Sequence, residues 1–245
     1  NELFKHWSTR MSDILATLGL TITDVQLLAF LVVVWGGYIY VADYSPLRKQ
    51  SLAHAMDRHR LRWLVEASTR EFKMVDTSVL GILVTGINFF ASATILVLGG
   101  LIAAIGYADK LGASFAHIPY ASSLDTNAIV VRLALLLAIF VYAFFKFAWA
   151  LRIANYCAIV IGGMSEQRYD EGDKQRHKRA EVAANLSASS GHHFNRGIRA
   201  YFFALASLGW FIGPLSFIVA ILGVLIVLVR REFSSNTVSY LRNLD

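Results

Sequence analysis

AIVVRLALLLAIFVYAFFKFAWALRIANYCAIVIGG, residues 128–163, decides the fold. Three charges interrupt it, Arg132, Lys146 and Arg152, and almost everything else is apolar. A helix rises about 1.5 Å per residue, so about 20 such residues cross a hydrocarbon layer of roughly 30 Å. Three further stretches meet that test: DVQLLAFLVVVWGGYIYVAD (24–43), residues 77–107, and residues 197–229. The last three spans exceed the need and are expected to tilt, kink or project beyond the lipid.

Composition agrees. Of 245 residues, 56% are hydrophobic and 16% charged, where soluble domains carry about 25% charge. One Cys and 3 Pro exclude a disulfide-stapled or Pro-rich protein. The apolar content excludes disorder. No repeat of 20–50 residues is visible, which argues against a solenoid or an inverted-repeat transporter. The expected class is all-α, an integral membrane four-helix bundle with amphipathic interfacial and cytoplasmic helices.

Orientation follows from Lys and Arg in the flanking segments. The connection 44–76 holds Arg48, Lys49, Arg58, Arg60, Arg62, Arg70 and Lys73; the connection 164–196 holds Arg168, Lys174, Arg176, Lys178, Arg179 and Arg196. The other side carries Lys5, Arg10, Lys110, Arg230, Arg231 and Arg242, the last three at or in the polar tail 230–245. Both connections are therefore expected in the cytoplasm and both termini outside, in a bacterial inner (plasma) membrane. The net charge of +6 sits beside the spans, where it favours anionic lipid headgroups by about 1 kcal/mol per residue. It implies no nucleic-acid partner.

The chain opens on Asn1, and residues 1–22 lack the continuous apolar run of a signal peptide. Phe4, Trp7, Met11, Ile14, Leu15 and Leu18 recur at three and four, the pattern of an amphipathic helix. Such a helix lies flat at the outer interface or packs on its neighbours. Asp24 suits the N-terminus of the first span. Residues 51–74 again read helical, with Leu52, Met56, Trp63, Ala67 and Met74 near one face and arginines on the rest. The expectation is a membrane-surface segment, the alternative a docking surface for an anionic partner. In the second connection, alternating charge predicts a solvated helix over 172–186 and then a flexible turn at SASSGHHFN. His177, His192 and His193 read as solvated loop histidines, because no Cys or spaced carboxylate supports a metal. No metal and no cofactor is expected.

Ionisable groups at lipid depth normally face protein or water. Arg132 and Arg152 are near enough to interfaces to snorkel; Lys146 is nearer the middle of its span. Tyr142, Lys146, Ala150 and Ala154 follow at i+4, and Ala158 and Gly162 continue a small-residue run suited to helix packing. With no acid at its depth, Lys146 has as partners Asn88, Tyr142, carbonyls freed by Pro214, water, or a group from outside the chain. Pro214 removes the helix bond to the carbonyl of Trp210. The readings of Lys146 are a snorkelling lysine, an anion or lipid phosphate beside it, or a neighbouring subunit's acid. In the second span Ser92 bonds back to its helix, Asn88 seeks a partner across helices, and Gly99 with Ala103 forms a close-packing pair. Cys157 has no His near it, and paired carboxylates and a Gly-rich phosphate loop are missing, so no enzyme is expected.

Arg62-Trp63 with Arg70 and Asp76, then FFASATILVLGG (89–100), FFKFAWALRIANY (144–156) and FNRGIRAYFFALASLGWFIGP (194–214), resemble the signatures of domain-of-unknown-function family 599. That family comprises bacterial and plant membrane proteins of about four predicted spans. The resemblance covers roughly residues 24–235. It marks Arg62, Trp63, Asp76, Phe89, Ser92, Lys146, Arg152, Asn155, Asn195, Arg199, Tyr201, Trp210 and Pro214, with Ala93 where a second small polar residue is expected. It implies fold and location and no activity. The leading functional expectation is an oligomeric, channel- or transporter-like protein that handles an anionic solute or lipid. Its contacts would be Lys146, Arg152, Asn155, Asn88, Arg62 and Arg199. Ser92, Gly99, Ala150, Ala154, Trp210 and Pro214 would shape packing and kink. The rival is an accessory or assembly subunit of a larger membrane complex. Expected partners are anionic membrane lipids and further copies or foreign subunits.

Overall fold

A computed structural model describes residues 17–115, 125–164 and 173–242, and no strand occurs among them. The helices are α1 (Ile22–Ile39), α2 (Leu52–Thr69), α3 (Met74–Gly106), α4 (Ala108–Phe115), α5 (Thr126–Gly162), α6 (Asp173–Ser207), α7 (Pro214–Phe233) and α8 (Asn236–Arg242). Four stretches are long and apolar enough to cross a membrane: Ile22–Tyr44, Met74–Gly106, Thr126–Gly162 and Pro214–Leu241. The protein is an all-α membrane helical bundle. The interfacial helix expected over 1–22 lies almost wholly outside the described residues.

The chain divides into two compact units. The first comprises Asn1–Tyr40, Leu96–Val141 and Ala200–Val227. Its helix α1 starts with a capping box: Thr21 Oγ1 accepts from Asp24 N at 3.2 Å, and Asp24 Oδ2 accepts from Thr21 N at 2.8 Å. Asp24 does more than cap. Its Oδ1 accepts from Trp210 Nε1 at 2.8 Å and from Arg132 Nη2 at 3.3 Å. Arg132 Nη1 donates to Trp210 O at 2.8 Å. That carbonyl is the one Pro214 leaves without a helical donor. Arg132 therefore does not snorkel; it is 8% exposed and tied into protein. Just before α1, Gly19 takes φ +64°, and a Cβ there would meet Asp125 Oδ2 at 2.9 Å. Only glycine fits this turn against the start of α5.

The expected fourth span, 197–229, is two helices. α6 ends at Ser207, a 3-10 turn covers Leu208–Phe211, and Pro214 opens α7, where its missing N–H costs nothing. Gly209 lets the turn close: a Cβ would stand 2.9 Å from Ser216 O. Around it Trp210 and Phe217 pack at 5.7 Å, and Trp35 stacks on Phe203 at 5.6 Å. Ile129, Leu136 and Ile221 complete this core.

The second unit comprises Val41–Ile95, Tyr142–Arg199 and Leu228–Asp245. Its core gathers Leu64, Ala67, Leu80, Cys157, Ile161, Ala180, Ala183 and Ala184. Thus α2 turns Leu64 and Ala67 into protein. α2 also stops at Thr69, five residues short of Met74, and Met74 is 78% exposed. Asp76 holds the join: its Oδ1 accepts from Trp63 Nε1 at 2.7 Å and Arg70 Nη1 at 2.6 Å. Lys73 Nζ donates to Met164 O at 2.6 Å.

The solvated helix and flexible turn expected over 172–195 are instead the first two thirds of one continuous helix, α6. Its small residues explain this. Ala180, Ala183, Ala184, Ser187 and Ser190 are buried at spacings of three and four. Ser190 Oγ donates to Ala150 O at 2.8 Å, so its hydroxyl is satisfied within the packed face. Packing overrides the local turn preference of Ser and Gly.

The C-terminal segment packs on the first basic connection. Glu232 Oε1 accepts from Ala53 N at 3.3 Å, and His59 Nε2 lies 3.2 Å from Leu241 O. The extra reversal at Leu208–Gly213 is the reason.

Burial marks one face on each of α5 and α3. The buried seam of α5 runs Ala143, Phe147, Ala150, Ala154, Cys157, Ile161, a heptad spacing; Ala158 and Gly162 lie outside it. On α3 the buried positions are Asp76, Leu80, Ile87 and Thr94. Ser92, Gly99 and Ala103 are exposed, and nothing approaches within 4 Å of a Cβ placed on Gly99.

Candidate functional site

α1 is followed by a π-helical turn, Tyr40–Tyr44, a distortion common at functional sites, and from Val41 onward the chain belongs to the second unit. Ser45 then caps a 3-10 turn over Pro46–Gln50, its Oγ accepting from Leu47 N at 3.2 Å. Ser51 caps α2 through His54 N at 3.2 Å. These two caps set Asp43, Tyr44, Arg48, Asp57 and Arg58 around one side of a cavity of about 530 Å³. The wall opposite is α6, from Ala184 to Arg196, with Asn185, Ser189, His192 and His193.

The wall is cationic. Of its charged groups, Arg48, Arg58 and Arg196 outnumber Asp43 and Asp57, and both carboxylates are engaged in ion pairs. Asp43 Oδ2 accepts from Arg196 Nε at 2.7 Å and Oδ1 from Arg199 Nη1 at 2.8 Å. Arg199 Nη2 continues to Glu232 Oε2 at 3.4 Å. Asp57 Oδ2 lies 2.9 Å from His192 Nε2, and its Oδ1 accepts from Arg60 Nη1 at 3.1 Å. Burial alone would lower the Arg196 pKa; the bond and charge of Asp43 outweigh it and raise it. Arg196 is a permanent positive charge.

His193 is different. Its ring lies 6.4 Å from Trp149, edge to face. Its Nδ1 is buried without a hydrogen-bond partner. Burial lowers its pKa, and the nearby charges of Lys146, Arg196 and His192 lower it further. At neutral pH the imidazole is neutral.

The sequence-chosen residues divide. Lys146 is half-buried, its Nζ 5.1 Å from the Tyr142 ring centroid. Tyr142 is thus the realised partner, and Lys146 stands close enough to act on His193. Arg199 is 5% exposed and holds Asp43 to Glu232, so it organises the wall from behind. Arg152 is exposed: its Nε donates to Tyr156 Oη at 2.7 Å, and its guanidinium covers Trp149 at 5.8 Å. Asn88, Asn155 and Arg62 are exposed and line no part of the cavity. Ala150, Ala154 and Trp210 are buried packing residues.

Sequence reasoning missed Asp43, Arg48, Arg58, His192, His193 and Arg196 as one group. The readable signal was helical phase: His192, Arg196 and Arg199 stand at i, i+4 and i+7, one face of a helix. The predicted loop hid it, and His192 and His193 are half-buried helical residues. His177 is exposed and lies 3.4 Å from Glu181. Among the described residues no group of three His, Cys, Asp or Glu side chains is placed to hold a metal ion.

The family described as "Protein of unknown function, DUF599" matches residues 26–237. No curated protein and no solved structure matches the chain.

Proposed function

The chain belongs to family DUF599, and from that premise we propose that it is a channel- or transporter-like membrane protein handling an anionic solute or lipid headgroup. The observation that carries this reading is the cationic cavity, with Arg48, Arg58 and Arg196 in its wall. Low-dielectric walls focus the field of such charges and raise the local concentration of anions. In this reading the protein binds and moves its ligand and performs no chemistry on it. It resides in a bacterial inner membrane, and the positive-inside bias puts the cavity on the cytoplasmic side. Lys146 extends the positive field from the cavity towards lipid depth.

The protein acts as an oligomer in this reading. α3 supports that: Ile82 is 72% and Leu96 78% exposed, and Gly81, Gly99 and Gly100 have open space at Cβ. The same face favours a second reading, an accessory subunit docked through α3 in a larger complex.

Two measurements test the proposal. The double variant Arg48→Gln/Arg58→Gln, at exposed positions, should weaken oxyanion binding in zwitterionic-lipid nanodiscs at least about tenfold by removing two cavity charges. Unchanged affinity would remove the cavity from the account. Native mass spectrometry from native lipids should show a homo-oligomer; stoichiometric foreign chains would favour the accessory reading.

A further inference from the structure

We infer that the cavity binds its anion together with a proton, which His193 takes up. The inference rests on the anion-handling reading above and adds the coupling to it.

The geometry comes first. His193 lines the cavity, and its Nδ1 is buried with no hydrogen-bond partner. The groups facing it come from every neighbouring element. α6 contributes His192 and Arg196, α5 contributes Lys146 and Trp149, and the cavity adds Arg48, Arg58, Asp43, Tyr44 and Asp57. Asp43 is committed to Arg196 and Arg199, and Asp57 to Arg60 and His192. Lys146, Arg196 and His192 thus surround His193 with positive charge. Burial and that charge hold the imidazole neutral.

An anion reverses the balance. Entering beside His193, it adds negative charge to the wall. A solvent proton then adds to the free ring nitrogen of His193, giving an imidazolium whose charge the anion offsets. No bond to the anion is made or broken, and the only species transferred is the proton. By linkage, whatever raises the proton affinity of His193 is bound more tightly as pH falls.

The ligand chemistry is an oxyanion, either a free one or the phosphodiester of a lipid. Sulfate and phosphatidylglycerol probe these two sources, and neither titrates near neutral pH. The full chain is placed in phosphatidylcholine nanodiscs and titrated with sulfate by calorimetry at pH 7 in buffers of different ionisation heat. A parallel set of discs contains phosphatidylglycerol, with pH indicator dye reporting proton uptake on lipid exchange. The expected result is uptake approaching about one proton per anion for the source that binds, and affinity rising up to about tenfold per pH unit between 8 and 6.

His193→Gln should bind the anion without proton uptake, and His177→Gln, at an exposed position, should behave as wild type. Should His193→Gln fail to fold, the pH dependence of the wild type decides alone. Binding with no proton uptake and flat affinity would overturn the coupling and leave the anion reading standing. No binding of sulfate or phosphatidylglycerol at all would overturn the anion reading itself.

Discussion

Asp24 and Arg132 show how one residue serves a fold twice. Asp24 caps α1 and also accepts from Trp210 Nε1 and Arg132, while Arg132 donates to the carbonyl that Pro214 frees. Removing one member strands the other. We predict that Asp24→Asn lowers stability by about 3–5 kcal/mol, the cost of an uncompensated buried charge. The double variant Asp24→Asn/Arg132→Met should recover part of that loss in a chemical denaturation cycle. His193 gives the pH dependence. Its folded pKa lies below the ordinary 6.5, so the unfolded chain takes up the proton first. Its contribution to stability is therefore whole above about pH 6.5 and lost as pH falls towards the folded value. Thermal melts between pH 7.5 and 5 should show a decline that His193→Gln reduces.

At the scale of elements, α6 carries the most information and was the least legible. Its apolar half and the membrane character of α1, α3 and α5 follow from runs of residues that need burial or lipid. Its polar half contains Ser, Gly and His, residues whose local preferences favour turns. Their helicity comes from contacts distant in sequence, with Ala150, Phe147 and Arg60. Gly197 makes the point quantitative, because a Cβ would stand 2.7 Å from Phe147 Cζ, in a ring that is 0% exposed. Gly197→Ala should destabilise by about 1–3 kcal/mol through overpacking, although alanine is the better helix former. Gly99→Ala, with open space at Cβ, should be neutral or stabilising by up to about 1 kcal/mol. Urea or SDS titration of the two variants distinguishes them. The turn after Ser207 was partly legible, since Pro214 marks where a helix bond is lost. Its closing contact at Gly209 needed coordinates.

For the molecule as a whole, the all-α membrane class was open to reading from composition and span length alone. The candidate site was not, because Asp43, Arg48, Arg58, His193 and Arg196 come from segments about 150 residues apart in sequence, and only folding places them around one cavity. Lys146 stands out in the sequence as a cation inside an apolar run, and Tyr142, four residues earlier, is the candidate partner that the fold brings to it. The packing of the C-terminal segment on Ala53 and His59 leaves no signal in the charge pattern. Leu47→Cys and Ser239→Cys should therefore react with an impermeant maleimide from the same side of the membrane, with native Cys157 silent because it is buried. Reaction from opposite sides would contradict the hairpin of α6 and α7.

If this bundle takes an anion through its basic cavity, reconstituted protein carries anion flux. Purified protein in phosphatidylcholine liposomes would be assayed for uptake of labelled sulfate and, separately, labelled rubidium. The account predicts saturable sulfate uptake well above protein-free liposomes, little rubidium uptake, and loss of the sulfate signal in Arg48→Gln/Arg58→Gln. Rubidium uptake equal to sulfate, or sulfate uptake unaffected by the double variant, would contradict it.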